Sequence, residues 1–241
     1  MTEFTQRSVP ALIGYIEDKL ANSIFFQPEE ETGAAPLLRT YAMSGTNVPV
    51  LLVAGINASG KSILTNMVEI LAMDCGFAHR CVSMDNRTSG SGIERAMIFG
   101  TESDQSTGYI STGAVIKGLK SSQTGDKPAA LILDEPDIGL SEEMAGAMGE
   151  YIAQHVLEQN HNLKFIMIVS HSRPMFERVL EKLPYAPHVV FMGSEDMTFD
   201  AWLNGPQIRL DPSAIDQLRT KGKDTWRNVE RVISNRKKAS A

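Results

Sequence analysis

The stretch Gly55-Ile56-Asn57-Ala58-Ser59-Gly60-Lys61-Ser62 decides the fold, because it fits the pattern GxxxxGK[ST]. The apolar run 48–54 before it predicts a buried parallel strand, and the apolar periodicity of 62–73 predicts a helix after it. A strand, a glycine-containing loop and a helix in this order are the context in which the pattern forms a phosphate-binding loop. A chance glycine turn between strand and helix is the alternative.

Each residue type in this loop has a chemical reason. Glycines let the backbone curl so that successive N–H groups point at phosphate oxygens. Lys61 can reach the β- and γ-phosphates, the Ser62 hydroxyl can ligate Mg²⁺, and the following helix presents its positive end to the same anion. No NKxD guanine-reading motif is present, so we expect ATP with Mg²⁺. The predicted nucleotide-binding residues are Gly55, Ile56, Asn57, Ala58, Ser59, Gly60, Lys61, Ser62 and Ile63.

Acidic residues follow a second apolar run. Residues 129–133 end in Asp134-Glu135-Pro136. We expect Asp134 to hold Mg²⁺ through water and Glu135 to act as the general base on an attacking water. Charge left at the end of an apolar strand is otherwise unexpected, although a solvated pair of loop acids remains the alternative.

A histidine ends the next apolar run, 165–169, in the sequence Ser170-His171-Ser172. A lone histidine is more often structural. At the end of a neighbouring strand, however, His171 can approach the γ-phosphate and the attacking water. Lys61, Glu135 and His171 are therefore the predicted catalytic residues.

Strands alternate with helices along the chain, which predicts an α/β fold. We expect a P-loop NTPase with a mostly parallel central sheet covered by helices on both faces. Further candidate strands are 79–84, 96–99 and 189–192. Ser141 is placed to cap a helix whose predicted buried stripe is Met144, Met148, Tyr151, Ile152 and Val156.

The chain length of 241 residues fits one large domain. We expect residues 1–241 to form it, with a core at about 45–205, an N-terminal helix at 8–21 and a basic helical segment at 212–241. No apolar run is long enough to span a bilayer, and the first nine residues lack the layout of a signal peptide. The only cysteines, Cys75 and Cys81, form no CxxC pair. These features predict a cytoplasmic protein with reduced thiols and no membrane partner.

The charge is unevenly distributed. The net charge is −6, yet residues 219–238 contain eight Lys or Arg and two Asp or Glu. Lys223, Arg227 and Arg231 recur at helical spacing and are candidates for contacting a nucleic acid or a protein partner. A solvated helix face is the alternative interpretation of these three residues.

Several of these residues together resemble a known family. The chain resembles ABC-type ATPases in three places. These are Asn57 within GINASGKS, the turn Asp134-Glu135-Pro136 followed by 138–140, and the strand end Ser170-His171. The segment 133–140 (LDEPDIGL) is similar to the corresponding turn of UvrA-like and SMC-like members. The resemblance covers about 48–180. It implies that His171 is the switch histidine, that 137–141 form the D-loop, and that two chains sandwich two ATP molecules.

The resemblance also implies a signature element that touches the γ-phosphate held by the opposite subunit. Its candidate residues are Ser111, Thr112 and Gly113, and Ser111 sits where a helix could begin. Two features look more like the MutS ATPase domain than like a transporter ATPase. They are the short spacing between Lys61 and Ser111 and the sequence of 99–112. Gln105 is a candidate for the glutamine that senses Mg²⁺, although its spacing departs from the usual one. Pro136, Ser141 and Gly113 also depart from the family patterns, and a plain helix cap remains the alternative for Ser111.

The sequence therefore predicts an ATP-hydrolysing, ATP-dependent homodimer that acts on a partner protein or nucleic acid. Two alternatives stay open. Residues 84–87 (MDNR) faintly resemble an element of P-loop small-molecule kinases. The irregular signature is also compatible with a nucleotide-binding switch or assembly factor that has little turnover.

Overall fold

The computed structural model describes residues 26–27, 37–38, 47–57, 59–74, 77–83, 105–124, 127–158, 162–192, 197–207 and 211–218. Several predicted features lie outside these residues: the N-terminal helix 8–21, the candidate strand 96–99, the kinase-like 84–87, and Lys223, Arg227 and Arg231. The extent of the single domain and the role of the basic segment therefore remain predictions.

Seven strands and five helices of the described residues have defined bounds. The strands are β1 (Phe26–Gln27), β2 (Leu37–Leu38), β3 (Val50–Gly55), β4 (Ala78–Ser83), β5 (Ala129–Asp134), β6 (Leu163–Ser170) and β7 (His188–Met192). The helices are α1 (Lys61–Asp74), α2 (Thr107–Gln123), α3 (Glu142–Leu157), α4 (Arg173–Lys182) and α5 (Phe199–Asn204). Residues 213–218 are also helical.

The central sheet has the strand order β4-β5-β6-β3-β7, and all four of its strand pairings are parallel. β1 and β2 form a separate antiparallel pair. β6 lies between β3 and β5, so the strand that His171 follows lies between the strand that leads into the phosphate loop and the strand that ends at Asp134. Ala54 pairs with Ser170, and Asp134 pairs with Val169. The carboxyl ends of three neighbouring strands therefore stop at the same level of one sheet edge.

Helices cover both faces of this sheet. On one face, Leu64 and Val68 of α1 pack against alternate residues of β3, β5 and β6. On the other face, α2, α3, α4 and α5 bury a larger apolar cluster that includes Leu52, Leu133 and Ile168. Alternate residues of each strand thus point into two cores, as a fully buried parallel strand requires. The predicted α/β fold of the P-loop type is confirmed, and the candidate strand 189–192 forms β7 at one edge of this sheet.

The buried stripe of α3 differs in part from the sequence prediction. Met148, Ile152 and Val156 are buried, but Met144 is 53% exposed and Tyr151 is 37% exposed. The reason is α4, a helix that the apolar pattern did not predict. A side chain at Gly149 would collide with the backbone of Met175 in α4, so α3 approaches α4 through its small residues. At about 3.6 residues per turn, Met144 and Tyr151 lie on the side of α3 opposite Gly149. Within the described residues, no helix has the length and apolar character needed to cross a bilayer.

Candidate functional site

The phosphate loop runs from the last residue of β3 to the first residue of α1. Gly55 lies so close to β7 that a Cβ there would collide with the backbone carbonyl of Met192. Gly60 has a φ of +98°, which is a conformation that favours glycine. Both glycines of the motif are therefore required by the backbone, and the predicted strand–loop–helix context is confirmed.

Lys61 is buried in this loop, with only 7% of its surface exposed. Its Nζ donates to the carbonyl of Ile56 at 2.9 Å and to that of Gly55 at 3.5 Å. Burial lowers the pKa of Lys61 to about 8, although the negative charges of Glu135 and Asp134 oppose this shift. The ammonium is thus held inside the loop and interacts electrostatically with both acids.

The other loop residues present the groups that a phosphate would need. The Ser59 hydroxyl oxygen is buried and has no hydrogen-bond partner among the described residues. Ser62, the second residue of α1, is exposed, as is Asn57, while Ile56 is half-buried. Ala58 lies outside the described residues, and Ile63 belongs to α1. A buried hydroxyl beside the first turn of a helix is positioned for an anionic oxygen.

Asp134 is the last residue of β5 and is half-buried. Its Oδ2 accepts a hydrogen bond of 3.3 Å from the Ser83 hydroxyl, at the end of the edge strand β4. The described residues contain no group of three or more His, Cys, Asp and Glu side chains that could hold a metal alone. A single carboxylate and a serine hydroxyl are nevertheless the usual protein contribution to a Mg²⁺ whose other ligands are phosphates and water.

Glu135 follows Asp134 in a left-handed conformation with a φ of +52°. This conformation costs a non-glycine residue on the order of 1 kcal/mol or more, and such residues cluster at functional sites. The Glu135 N–H donates to the carbonyl of Val169 at 2.9 Å, so the turn is fixed to β6. The result is a carboxylate directed away from the path of β5 and toward the end of the neighbouring strand.

The Glu135 carboxylate meets His171 there. Glu135 Oε1 lies 3.4 Å from His171 Nε2, and both side chains are partly open to solvent, with 42% and 34% of their surface exposed. The hydrogen bond from His171 is the main cause that lowers the pKa of Glu135, and Lys61 lowers it further, while burial opposes both. The structure therefore brings together Lys61, Glu135 and His171, the three residues predicted to be catalytic.

Helix α2 begins earlier than the sequence indicated. It starts at Thr107, and the side chain of Ser106 caps it by accepting from the Tyr109 N–H at 3.3 Å. The expectation that a helix begins at Ser111 is wrong. The sequence Ser-Thr-Gly occurs twice, at 106–108 and at 111–113. The first copy forms the start of the helix, where Ser106 and Thr107 are exposed and Gly108 is buried.

The second copy lies inside α2. Ser111 is only 2% exposed, and its hydroxyl lies within hydrogen-bonding distance of two carbonyl oxygens, Gly108 at 3.1 Å and Ile138 at 3.0 Å. Thr112 bonds back to the Gly108 carbonyl at 2.7 Å. Ser111 lines the same small cleft as Asp134 and Glu135 of its own chain. A contact of Ser111, Thr112 and Gly113 with a nucleotide remains a prediction, as does the Mg²⁺ role of Gln105, which is exposed just before the cap.

The sequence analysis placed Asp137 in the D-loop and Ser170 at the strand end, but it did not predict that the two residues contact each other. The Ser170 hydroxyl, which is fully buried, donates to Asp137 Oδ1 at 2.7 Å and accepts from the Ser172 N–H at 2.8 Å. Burial raises the pKa of Asp137, while the hydrogen bond from Ser170 opposes this shift. The available signal was the position of Asp137 two residues after Glu135, but its partner lies 33 residues away along the chain.

Comparisons with known proteins add little to this geometry. No family model matches the sequence. No curated protein matches it either. The fold is similar to a chain in the structure of Drosophila ORC bound to AT-rich DNA and Cdc6, with 13% identity and a TM-score of 0.33. The similarity covers 73% of this chain, which spans about 28% of that one. At this level it carries no argument about function, and the α/β fold is established by the sheet order and the phosphate loop themselves.

Proposed function

We propose that the protein binds ATP with Mg²⁺ and hydrolyses it to ADP and phosphate. The observation that carries this proposal is the meeting of three neighbouring strand ends at one sheet edge. There the Glu135 carboxylate interacts both with the buried Lys61 ammonium and with the His171 imidazole. Ligands of open α/β sheets bind at such carboxyl edges.

The residues present fit a nucleoside triphosphate with its metal. The loop around Gly60 and the buried, unpartnered Ser59 hydroxyl oxygen suit phosphate oxygens, and Lys61 supplies the positive charge. Ser62 and Asp134 would hold Mg²⁺, which neutralises charge on the phosphates when bound. No NKxD motif selects guanine, which favours ATP over GTP.

The chemistry assigned to Glu135 is that of a general base. A water oxygen forms a bond to the γ-phosphorus, the bond to the bridging oxygen of ADP breaks, and the Glu135 carboxylate takes the water proton. Its lowered pKa keeps this group ionised at neutral pH. His171 orients the carboxylate through its Nε2. Catalysis in this scheme rests on positioning and charge rather than on a covalent intermediate.

The start of α2 supports a MutS-like arrangement, in which two copies of the chain dimerise around ATP. Helix N-termini attract phosphate, and the start of α2 is exposed at Gln105, Ser106 and Thr107. Tyr109, in the same turn, is 65% exposed. We place this turn against the triphosphate of a second copy, so that binding closes the dimer and hydrolysis releases it. The movement would act on a partner protein or nucleic acid, for which Lys223, Arg227 and Arg231 are candidate contacts.

The variant Glu135→Gln tests the proposal. The amide keeps the size of the side chain but cannot accept the water proton, so phosphate release should fall at least 100-fold while ATP still binds. The variant should elute as a dimer in size-exclusion chromatography with ATP and as a monomer without it. Glu177→Gln, an exposed position on α4, is the matched control and should behave as the unchanged protein.

Three results would contradict the proposal. A Glu135→Gln protein that stays monomeric at saturating ATP removes the dimer model. Release of ADP by the unchanged protein only when a small-molecule acceptor is added would support a kinase instead. Binding of ATP without any turnover would support a nucleotide-dependent switch.

A further inference from the structure

Two hydrogen bonds hold the backbone on both sides of His171. Ser170 precedes it and donates its hydroxyl proton to Asp137 Oδ1 at 2.7 Å. Ser172 follows it and donates its N–H back to the same Ser170 oxygen at 2.8 Å. His171 is therefore the middle residue of a closed turn, and the oxygen at the centre of that turn is completely buried.

The direction of these bonds depends on Asp137. A hydroxyl has one proton and two lone pairs. Donation of that proton to a carboxylate leaves the lone pairs for the Ser172 N–H and increases the negative charge on the oxygen, which strengthens the second bond. Without the acceptor at 137, the Ser170 proton has to find another partner, and the hydroxyl is free to rotate. The turn around His171 would then lose its fixed geometry.

Asp137 also belongs to the turn that carries Glu135. This turn is bonded to β6 through the Glu135 N–H and the Val169 carbonyl, and again through Asp137 and Ser170. These two bonds join the same two segments that carry the Glu135 carboxylate and the His171 imidazole, which lie 3.4 Å apart. The relative position of the two reactive side chains is thus set by two connections between the same pair of elements.

We propose that Asp137 is a positioning residue, which fixes the backbone of His171 through the Ser170 hydroxyl and so aims the imidazole at Glu135. The proposal rests on the assignment of Glu135 and His171 to hydrolysis. It assigns no contact with nucleotide to Asp137 itself. The charges of Glu135 and His171 both act on the Asp137 carboxylate.

The kinetic test compares Asp137→Ala, Asp137→Asn, Ser170→Ala and the double alanine variant. Misplacement of a catalytic group by about 1 Å costs roughly 10- to 100-fold in rate, so Asp137→Ala should lower kcat by this factor with little change in KM for ATP. Asp137→Asn keeps an oxygen that accepts the Ser170 proton and should recover most of that loss. Since both residues act through one bond, the double variant should be no slower than the slower single variant.

A second measurement does not depend on turnover. The imidazole signals of the five histidines can be followed by NMR, and the His171 signal is assigned by its loss in His171→Asn. Asp137→Ala should shift that signal in the absence of nucleotide, while Asp137→Asn should leave it near its original position. Unfolding curves of each variant establish that it is folded.

The outcomes separate this inference from the proposed function. An unchanged protein without ATPase activity overturns the proposed function, yet the NMR comparison still tests the connection from Asp137 to His171. An unmoved His171 signal in a folded Asp137→Ala variant overturns the inference even if hydrolysis is established. Equal damage by Asp137→Asn and Asp137→Ala overturns it too, because the charge and not the hydrogen bond would then matter. A rise in KM without a fall in kcat would make Asp137 a binding residue and also contradict it.

Discussion

Gly108, in the first turn of α2, lies directly against Gly139, in the turn after β5. A Cβ at position 108 would lie 2.6 Å from the Gly139 carbonyl oxygen, and Gly139 itself has a φ of +78°. The pair of glycines lets the exposed start of α2 touch the turn that carries Glu135. One turn further along α2, Ser111 and the Ile138 carbonyl are 3.0 Å apart, within hydrogen-bonding distance. A shift of the start of α2 would therefore be passed to the Glu135 turn by contact.

Gly108→Ala should separate these two elements. The added methyl group meets backbone atoms that cannot rotate away, so we expect a loss of about 1–3 kcal/mol in the free energy of unfolding, measured by denaturant titration. Gly113→Ala is the matched control on the same helix, because a Cβ there meets nothing within 4 Å. Removal of a helical glycine should instead stabilise the protein by up to about 1 kcal/mol.

The same pair of variants tests the predicted signature residues. A stable Gly113→Ala protein that has lost ATP-dependent dimerisation would assign the signature to Ser111, Thr112 and Gly113 instead of the start of α2 proposed above. Unchanged stability of Gly108→Ala would contradict the close contact between Gly108 and Gly139.

ATP binding should weaken as the pH rises above about 8. The pKa of Lys61 in the free protein is about 8, and bound phosphate stabilises the ammonium form and so raises this pKa. Binding then takes up a proton, and the affinity falls by up to about tenfold for each pH unit between the free and the bound pKa. Calorimetry at about pH 7.5 and about pH 9.5 measures this decrease. Lys61→Arg keeps its charge over the range and should bind with little pH dependence, whereas a pH-independent affinity of the unchanged protein would refute the assignment of Lys61.

Removal of His171 should change how the hydrolysis rate depends on pH. The fall in rate at low pH, which is the acidic limb of the pH–rate profile, should move to higher pH. The His171 hydrogen bond is the largest cause that lowers the pKa of Glu135, and burial raises that pKa once the bond is gone. The base acts only when it is ionised, so the variant should lose activity at a higher pH than the unchanged protein as the solution is acidified. His171→Asn should also be roughly 10- to 100-fold slower at neutral pH.

The control for this prediction is His79→Asn on β4, whose imidazole lies 3.5 Å from Glu69 and away from the paired residues. Its acidic limb should coincide with that of the unchanged protein. If the limb of His171→Asn also stays in place, then Glu135 is not the group whose ionisation limits the rate.

The buried strands and the chemistry at their ends could be predicted from short segments. A run such as 129–133 is apolar throughout, so it is favoured in the interior of a parallel sheet, and the acids that follow are placed where the strand leaves the core. Helix α4 was missed because its buried residues, among them Met175, Phe176 and Val179, are few and surrounded by charged ones. Its partner α3 was assigned two stripe residues, Met144 and Tyr151, that the contact with α4 leaves exposed.

The sequence by itself determined the phosphate loop, the acidic turn and the strand-end histidine, because each depends on residues that are neighbours along the chain. Only the tertiary structure decided that β6 lies between β3 and β5 and that the first Ser-Thr-Gly begins α2. Ser106 and Ser111 are both suitable helix caps. A serine cap stabilises a helix by about 1 kcal/mol at either position, so the local sequence does not decide between them. The choice depends on Gly108 fitting against Gly139 and on Ser111 reaching Ile138, which are contacts between distant segments.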